Sequence, residues 1–191
     1  MHLTLPASEL TLTSDTHAAR STNPASPAIP AQHGSARHPG GLAGFNSAPR
    51  PNAETTLLAC CGSRRWAERI AAHRPYPTLD ALLAAADEAS YDLAASDLDE
   101  ALARESSAAP APSAPAAAQT ALRAAHAAYE STFGHAFVIS LAGVRPDERL
   151  DQVLAGIRSR LGNERDEERA VAADELRRLA RSRLTRSVAD A

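Results

Sequence analysis

Histidines and arginines are the side chains in this sequence best suited to chemistry, since histidine transfers protons near neutral pH and arginine binds anions. His126 shares a helical face with Leu122, Tyr129 and Phe133. A histidine on such an apolar face is more often packed in a core than used as a base or a ligand. The sequence contains no GxxxxGK(S/T), GxGxxG, HExxH or GxSxG motif. The residues alone therefore predict no phosphate, dinucleotide, zinc-protease or serine-hydrolase site.

The charged residues exclude several classes of function. The 20 Lys and Arg positions contain no lysine, which excludes Schiff-base chemistry and a lysine-held pyridoxal cofactor. A net charge of −3 provides no basic field to attract nucleic acid or anionic lipid. The arginine-rich stretch "ELRRLARSRLTRS" lies among acidic residues, which favours a solvated helix face over an RNA-binding surface.

Cysteines and tail histidines predict neither a disulfide framework nor a metal site. Cys60 and Cys61 are adjacent, and neighbouring cysteines seldom bridge each other. Their apolar surroundings predict burial as free thiols. No ligand spacing relates the histidines of the N-terminal region, which are His2, His17, His33 and His38. No apolar run has the length of a membrane span, and the N-terminus lacks an apolar signal core, so we expect a cytoplasmic protein without membrane contact.

The composition changes twice along the chain and defines its organisation. Residues 1–39 are rich in Ser, Thr, Pro and Ala without a sustained period, which predicts a disordered tail. Residues 40–189 carry helical patterns, so we predict an all-α, single-domain, multi-helix bundle. A low-complexity loop of Ala, Pro and Ser over residues 105–117 interrupts this domain.

Capping residues predict where the helices of the first half begin. Asn52 is the predicted cap of the first long helix, and Gly62 with the following serine marks a break in it. Thr78 is the predicted cap of the next helix, and Ser96 with Asp99 forms a near capping box for a third.

The second half contains the clearest helical periodicity. A predicted helix in "DERLDQVLAGIRSRLGN" ends at Gly162 as its C-terminal cap, and its apolar positions are Leu150, Val153, Leu154, Ile157 and Leu161. A final helix is predicted from about Asp166 to Val188, with inward-facing Val171, Leu176, Leu179 and Leu184.

The sequence resembles the OHCU decarboxylase family over roughly residues 40 to 188. The string "GFNSAPRPNAETTLLACCGSRRWAERIAAHRPYPTLDALLAAADEA" looks like the start of that family. The later strings "AAHAAYESTFGHAFVIS" and "VLAGIRSRLGNERDEERAVAADELRRLARSRL" look like the second half of that family. The positions that carry the resemblance appear in the family's order: Phe45-Asn46, Trp66, Arg74-Pro75-Tyr76, Phe133-Gly134 and Arg160-Leu161-Gly162-Asn163.

The resemblance implies a cofactor-free decarboxylation in urate breakdown. The family converts 2-oxo-4-hydroxy-4-carboxy-5-ureidoimidazoline (OHCU) to S-allantoin and carbon dioxide, so the implied partner is this small ureidoimidazoline. Loss of carbon dioxide beside an imino or carbonyl group leaves a delocalised carbanion, and an enzyme must then deliver a proton to one face of the ring. Histidine suits the proton transfer, whereas arginine and backbone N–H groups suit anion binding. Relatives often self-associate, which implies a homo-oligomer.

Both acid–base residues that the resemblance implies are replaced in this chain. In relatives, the helix matching "DLDEALARE" runs into a His-Pro pair whose histidine is the proton donor. Alignment on "EALA" puts Glu105 at that histidine and Ser106 at the proline. The family's glutamate partner belongs to a later loop motif, and its best match, "SAPAAAQ", has Ala118 in its place.

Two hypotheses about activity follow from these replacements. In one, the chain is a catalytically inactive relative that serves as a ligand- or protein-binding module, because loss of a general acid usually abolishes most activity. In the other, activity persists with a desolvated Glu105, or with His135 of "FGHAFVI", as the acid. The resemblance also implies substrate-binding residues, which are Ser113, Gln119, the main chain of His135, Ala136, Phe137, Val138 and Ile139, and the anion-binding Arg160. Core packing for Phe137 to Ile139, and a surface salt bridge for Arg160, are the alternative structural roles.

Overall fold

Helices account for all the regular secondary structure in the described part of the chain. The computed structural model describes residues 40–107 and 115–189, which contain no strand. The helices are α1 (Gly41–Ser47), α2 (Arg50–Cys60), α3 (Arg64–Ala72), α4 (Leu79–Tyr91), α5 (Ala95–Leu102), α6 (Ala116–Phe133), α7 (Arg149–Arg160) and α8 (Arg165–Ala189). The predicted all-α class is confirmed. The predicted tail, residues 1–39, and residues 108–114 of the low-complexity loop lie outside the described residues.

Hydroxyl side chains cap the starts of α3 and α4, and the sequence predicts the cap of α4. The Oγ atom of Ser63 accepts the backbone N–H of Trp66 at 3.3 Å, and the Oγ1 atom of Thr78 accepts that of Ala81 at 3.1 Å. Each bond satisfies one N–H group that has no partner within the helix. The predicted break at Gly62 and the Thr78 cap are therefore confirmed.

Two other predicted caps are wrong. Helix α2 begins at Arg50, before Asn52, with Pro51 in its first turn. The N–H groups of a first turn have no partner within the helix, so proline, which lacks an N–H, is well suited to this position. Helix α5 begins at Ala95, and the N–H of Ala94 donates to the Oδ2 atom of Asp97 at 3.1 Å. Asp97 therefore forms the only side-chain cap at this end, in place of the predicted Ser96–Asp99 pair.

The predicted glycine cap of α7 is also wrong. Helix α7 ends at Arg160, and the following Leu161 keeps a right-handed helical conformation. The N–H of Asn163 donates to the carbonyl of Arg160 at 3.1 Å, so the chain continues as a right-handed turn through Gly162. A left-handed glycine instead ends α6, where Gly134 has a φ of 81° and donates to the carbonyl of Glu130 at 2.8 Å.

Two hydrophobic clusters form the interior of the described part. The larger cluster combines side chains of α1–α5 and α8, among them the predicted buried thiols Cys60 and Cys61. The smaller cluster lies between α6 and α7. An irregular segment, residues 136–141, joins them, with Val138 in the larger cluster and Phe137 in the smaller one. All of the described helices belong to one compact unit.

Close packing against α7 fixes the 136–141 segment. A Cβ atom at Gly156 would lie 3.1 Å from the Cζ atom of Phe137 and 3.2 Å from the Cδ1 atom of Ile139. The absence of a side chain at Gly156 therefore lets the segment approach the helix backbone.

Several positions that carry the family resemblance hold α1 against the turn after α3. Asn46 and Tyr76 exchange two hydrogen bonds, of 2.8 Å and 2.9 Å, between the amide of Asn46 and the backbone of Tyr76. The Nη1 atom of Arg74 donates to the carbonyls of Phe45 at 2.6 Å and Ala48 at 2.8 Å. The peptide bond between Arg74 and Pro75 is cis. These motif residues therefore stabilise the fold.

Within residues 40–107 and 115–189, no helix combines the length and the apolar character that a membrane span requires.

Candidate functional site

A cleft of about 430 Å³ lies where the end of α5 meets the end of α6, and we call it the α5–α6 cleft. Its described lining residues are Leu102, Ala103, Glu105, Ser106, Ser107, Glu130, Gly134, His135 and Ala136. It thus brings together three of the predicted site residues, Glu105, His135 and Ala136. These residues come from segments that are about 30 positions apart in the sequence.

Glu105 forms a two-bond ion pair with Arg183 of α8. The Nη1 and Nη2 atoms of Arg183 donate to the two carboxylate oxygens at 2.6 Å and 2.8 Å. The Glu105 side chain is only 8% exposed and that of Arg183 is 30% exposed. The hydrogen bond to Glu105 raises the pKa of Arg183. Both oxygens of Glu105 are therefore engaged as acceptors from a cation.

Arg183 belongs to the arginine-rich stretch whose sequence pattern predicts a solvated helix face. Its Nη1 atom also donates to the carbonyl of Cys60 at 3.1 Å. The sequence does not distinguish Arg183 from the other arginines of the α8 stretch, because only helix packing determines which of them faces the end of α5.

His135 begins the segment that follows α6 and is half-buried at the cleft wall. Its Nδ1 atom lies 3.0 Å from the carbonyl oxygen of Ala136. A carbonyl only accepts hydrogen bonds, so Nδ1 carries the proton in this contact. The other ring nitrogen, Nε2, takes no part in it. The edge of the ring packs on Tyr129, with centroids 5.6 Å apart.

Glu130 and Ser107 also line the cleft, although neither is predicted as a site residue from the sequence. The Oγ atom of Ser107 donates to the Oε1 atom of Glu130 at 2.6 Å and accepts the N–H of Phe137 at 3.3 Å. The segment after α5 is thereby tied to the end of α6 and to the 136–141 segment. Helical spacing from Glu130 to Gly134 is the signal that could have located this carboxylate near His135.

The other residues of the predicted main-chain strip lie partly inside the two clusters. Phe137 and Val138 are 2% exposed each, and Ile139 packs against the α6–α7 cluster. The side chains of these residues do the core packing that the sequence analysis gave as their alternative role.

Arg160 lies behind this strip in a buried polar network. Its Nε atom donates to Glu168 at 2.8 Å and its Nη1 atom to the carbonyl of Val138 at 2.8 Å. Its Nη2 atom contacts the Tyr129 hydroxyl at 3.2 Å and also donates to Glu168. The guanidinium carbon lies 4.5 Å from the centre of the Phe137 ring.

Glu168 is the centre of this network and is fully buried. Its carboxylate accepts hydrogen bonds from Arg160, from the Tyr129 hydroxyl and, at 2.8 Å, from Asn163. Burial and the bond to Glu168 raise the pKa of Tyr129. Arg160 thus forms a buried ion pair, not the surface salt bridge that the sequence left open, and its guanidinium supports the carbonyl of Val138.

The remaining predicted residues lie elsewhere. Ala118 and Gln119 are half-buried in the first turn of α6 and are absent from the described lining of the cleft. Ser113 lies outside the described residues. Among the described residues, no three His, Cys, Asp or Glu side chains are arranged to hold a metal ion.

Comparisons with known proteins agree with the resemblance. The sequence model of the family described as "OHCU decarboxylase" matches residues 46–185. The fold is similar to a crystal structure of (S)-allantoin synthase, with a TM-score of 0.63 and 19% identity, over 78% of this chain and 54% of that chain. It is also similar to a crystal structure of OHCU decarboxylase in the presence of (S)-allantoin, with a TM-score of 0.60 and 22% identity, over 70% of this chain and 97% of that chain.

These comparisons show a family and a fold. The chain spans about half the length of the (S)-allantoin synthase structure that it matches. The search of curated proteins found no match to the chain. The family model, by contrast, covers most of the described residues, including the α5–α6 cleft. The chain therefore belongs to the OHCU decarboxylase family.

Proposed function

We propose that this chain is a cytoplasmic, cofactor-free lyase that decarboxylates OHCU to S-allantoin in the α5–α6 cleft, with His135 as the proton donor. Family membership supports the reaction. The observation that carries the proposal is that His135 lines a cleft of about 430 Å³. This volume falls within the range typical of small-molecule sites.

The geometry of His135 suits proton delivery. With Nδ1 held by the carbonyl of Ala136 at 3.0 Å, the ring is fixed and Nε2 remains for a ligand. Glu130 lines the same cleft as His135. The two residues together supply an acid and a nearby carboxylate, as the family's replaced histidine and glutamate do.

The proposed reaction needs one proton and no cofactor. The bond between the ring carbon and the carboxylate breaks, carbon dioxide leaves, and the electron pair of the bond enters the ring system. The imidazolium of His135 then donates its Nε2 proton to the ring carbon that becomes the stereocentre of S-allantoin. General acids of this kind typically contribute about 10²–10⁴-fold to a rate.

Glu105 is less suited to this role. Both of its oxygens accept hydrogen bonds from Arg183, so each oxygen already has a charged donor as its partner. Its assignment as the acid, made from its position in the sequence, stays a prediction.

A second candidate function, a non-catalytic binding module, is favoured by the same ion pair. By the resemblance, Glu105 stands at the position of the family's proton donor, and the guanidinium of Arg183 holds its carboxylate. A chain of this kind retains the cleft but not the family's acid, and so binds a ureide or a protein partner without turnover.

The test is circular dichroism of S-allantoin formation from OHCU generated in situ from urate by the two preceding enzymes. We expect the wild-type chain to accelerate formation of the S isomer over the spontaneous reaction. His135→Asn is expected to lower the rate by about 10²-fold or more. His73→Asn is the matched control, because His73 also holds a backbone carbonyl through Nδ1, at 2.7 Å from Arg69, and is exposed and outside the cleft.

Each outcome decides between the candidates. A wild-type rate equal to the spontaneous rate, with racemic product, refutes catalysis and leaves the binding module. Full activity in His135→Asn refutes His135 as the donor and makes Glu105→Gln the next variant.

A further inference from the structure

A second groove, of about 530 Å³, lies between α8 and the chain around Ser140 and Ala142, and we call it the α8 groove. Its described lining shares no residue with that of the α5–α6 cleft. It contains three arginines, Arg178, Arg181 and Arg186, and one carboxylate. The net charge of the chain is −3, but exposed charges farther away than about 8 Å are largely screened at physiological salt. The groove is therefore locally positive on a negative protein.

The carboxylate of the α8 groove, Glu175, is covered by the protein. Its Oε1 atom accepts a hydrogen bond from Arg178 at 2.6 Å, and its Oε2 atom accepts the N–H of Ser140 at 2.7 Å. The Glu175 side chain is 14% exposed, whereas that of Arg178 is 53% exposed. A ligand in the groove therefore meets the cation more than the carboxylate.

The other two arginines also keep donors for a ligand. Arg181 pairs with Asp87 through Nη1 at 2.6 Å, and its side chain is 44% exposed. Arg186 donates through Nη1 to the Oγ atom of Ser182 at 2.9 Å, and a neutral hydroxyl does not offset its charge. Since arginine has five N–H donors, each of these contacts leaves donors of the guanidinium for an external anion.

Helical spacing arranges these donors in rows. Arg178, Ser182 and Arg186 follow one another at intervals of four residues, and Arg181 with Thr185 forms a neighbouring pair of the same spacing. With a rise of 1.5 Å per residue, the row from Arg178 to Arg186 is about 12 Å long. This length suits two linked anionic groups, because each group then meets its own guanidinium.

We propose that the α8 groove binds the diphosphate group of a small molecule, with Arg178, Arg181 and Arg186 as the binding residues. Guanidinium groups bind phosphate oxygens through paired, charge-assisted hydrogen bonds, and the hydroxyl of Ser182 lies between two of them in the row. The groove is separate from the cleft in which decarboxylation is proposed, so this inference goes beyond the proposed function.

The test is calorimetric titration of the wild-type chain with inorganic pyrophosphate, at constant ionic strength and without divalent cations. We expect saturable binding of one pyrophosphate per chain, and weaker binding of succinate, which has two carboxylates and fewer acceptor oxygens. Arg186→Gln is expected to weaken pyrophosphate binding by about tenfold or more, because a hydrogen bond to a charged group is lost.

Arg158→Gln is the matched control. Arg158 is also an exposed arginine in the last turn of a helix, α7, but it is not among the residues that line the α8 groove. The two variants change the net charge equally, so pyrophosphate affinity in Arg158→Gln is expected to equal that of the wild type.

Three results overturn the inference. They are the absence of saturable pyrophosphate binding by the wild type, an equal loss of affinity in the Arg186→Gln and Arg158→Gln variants, and equal affinities for succinate and pyrophosphate. If Arg186→Gln alters the fold, Arg178→Gln is titrated in the same way and the same outcomes decide. The measurement requires no turnover, so failure to decarboxylate OHCU refutes the proposed function alone.

Discussion

Replacement of Glu168 by glutamine is expected to destabilise the protein strongly. Glu168 is 0% exposed, and its carboxylate is the acceptor for Arg160, Asn163 and Tyr129. Glutamine has the same shape but no charge, and its NH₂ group faces these donors. Arg160, itself 8% exposed, then keeps a buried positive charge without a counter-ion.

The expected magnitude follows from this burial. Removal of one partner of a buried ion pair typically lowers the free energy of unfolding by about 3–5 kcal/mol, because the remaining charge is neither solvated nor paired. Domains of this size have total stabilities of about 5–15 kcal/mol. Glu168→Gln should therefore remove a large fraction of the stability and also loosen the carbonyl of Val138, which Arg160 supports.

Urea unfolding at pH 7 measures this effect with two probes, far-ultraviolet circular dichroism and the fluorescence of Trp66, the single tryptophan. The midpoint should fall while the slope of the transition stays constant, which indicates a change in stability alone. Glu167→Gln is the matched control, because Glu167 lies in the same first turn of α8 and is exposed. Its effect should stay below about 1 kcal/mol, the size of a helix-dipole contribution.

One result refutes the reasoning. If Glu168→Gln and Glu167→Gln destabilise the protein equally, the charge of Arg160 does not depend on Glu168. A double-mutant cycle with Arg160→Met provides an independent check. Loss of the orphaned charge should make the double variant more stable than the sum of the two single changes predicts.

Three further changes test other parts of the structure. Gly134→Ala forces a side chain into a φ of 81°, with no atom within 4 Å of the added Cβ. Backbone strain alone should therefore lower the free energy of unfolding by about 1–2 kcal/mol in thermal unfolding. Gly162→Ala is equally unhindered but has no positive φ, so it should be neutral. Ser63→Ala removes the cap of α3 and should lower the free energy of unfolding in urea by about 1 kcal/mol; no change would contradict the cap. Burial raises the pKa of Cys61 from 9.0 to about 11, so the unfolded state loses its thiol proton first. The contribution of Cys61 to the free energy of unfolding is therefore complete below pH 9 and is lost, by about 3 kcal/mol, as the pH rises towards 11. This loss should be absent in Cys61→Ala.

Local patterns were sufficient to predict most of the helices and much of the core. The apolar spacing from Leu150 to Ile157 predicts α7, and both Val153 and Ile157 are buried. Thr78 caps α4 as its position predicts. These features depend on periodicity and on the residues next to a helix end, which a sequence displays directly.

The helix ends that were predicted wrongly have local competitors that a single pattern does not rank. Asn52 is a good cap, but Pro51 is equally suited to a first helical turn, and the helix begins earlier. Gly162 is a common terminator, but the short connection to α8 continues as a right-handed turn and does not use its conformational freedom.

The sequence by itself determined the all-α class and the family resemblance, and the resemblance predicts that the carboxylate of Glu105 stands where relatives have a histidine. Only the tertiary structure decided what that carboxylate does, because its partner Arg183 is 78 residues away. The same holds for Ser107 and Glu130, which are 23 residues apart, and for the burial of Arg160 behind Val138. Such contacts arise when packed helices bring one face of each against another, and periodicity specifies which face is buried but not which distant residue it will meet.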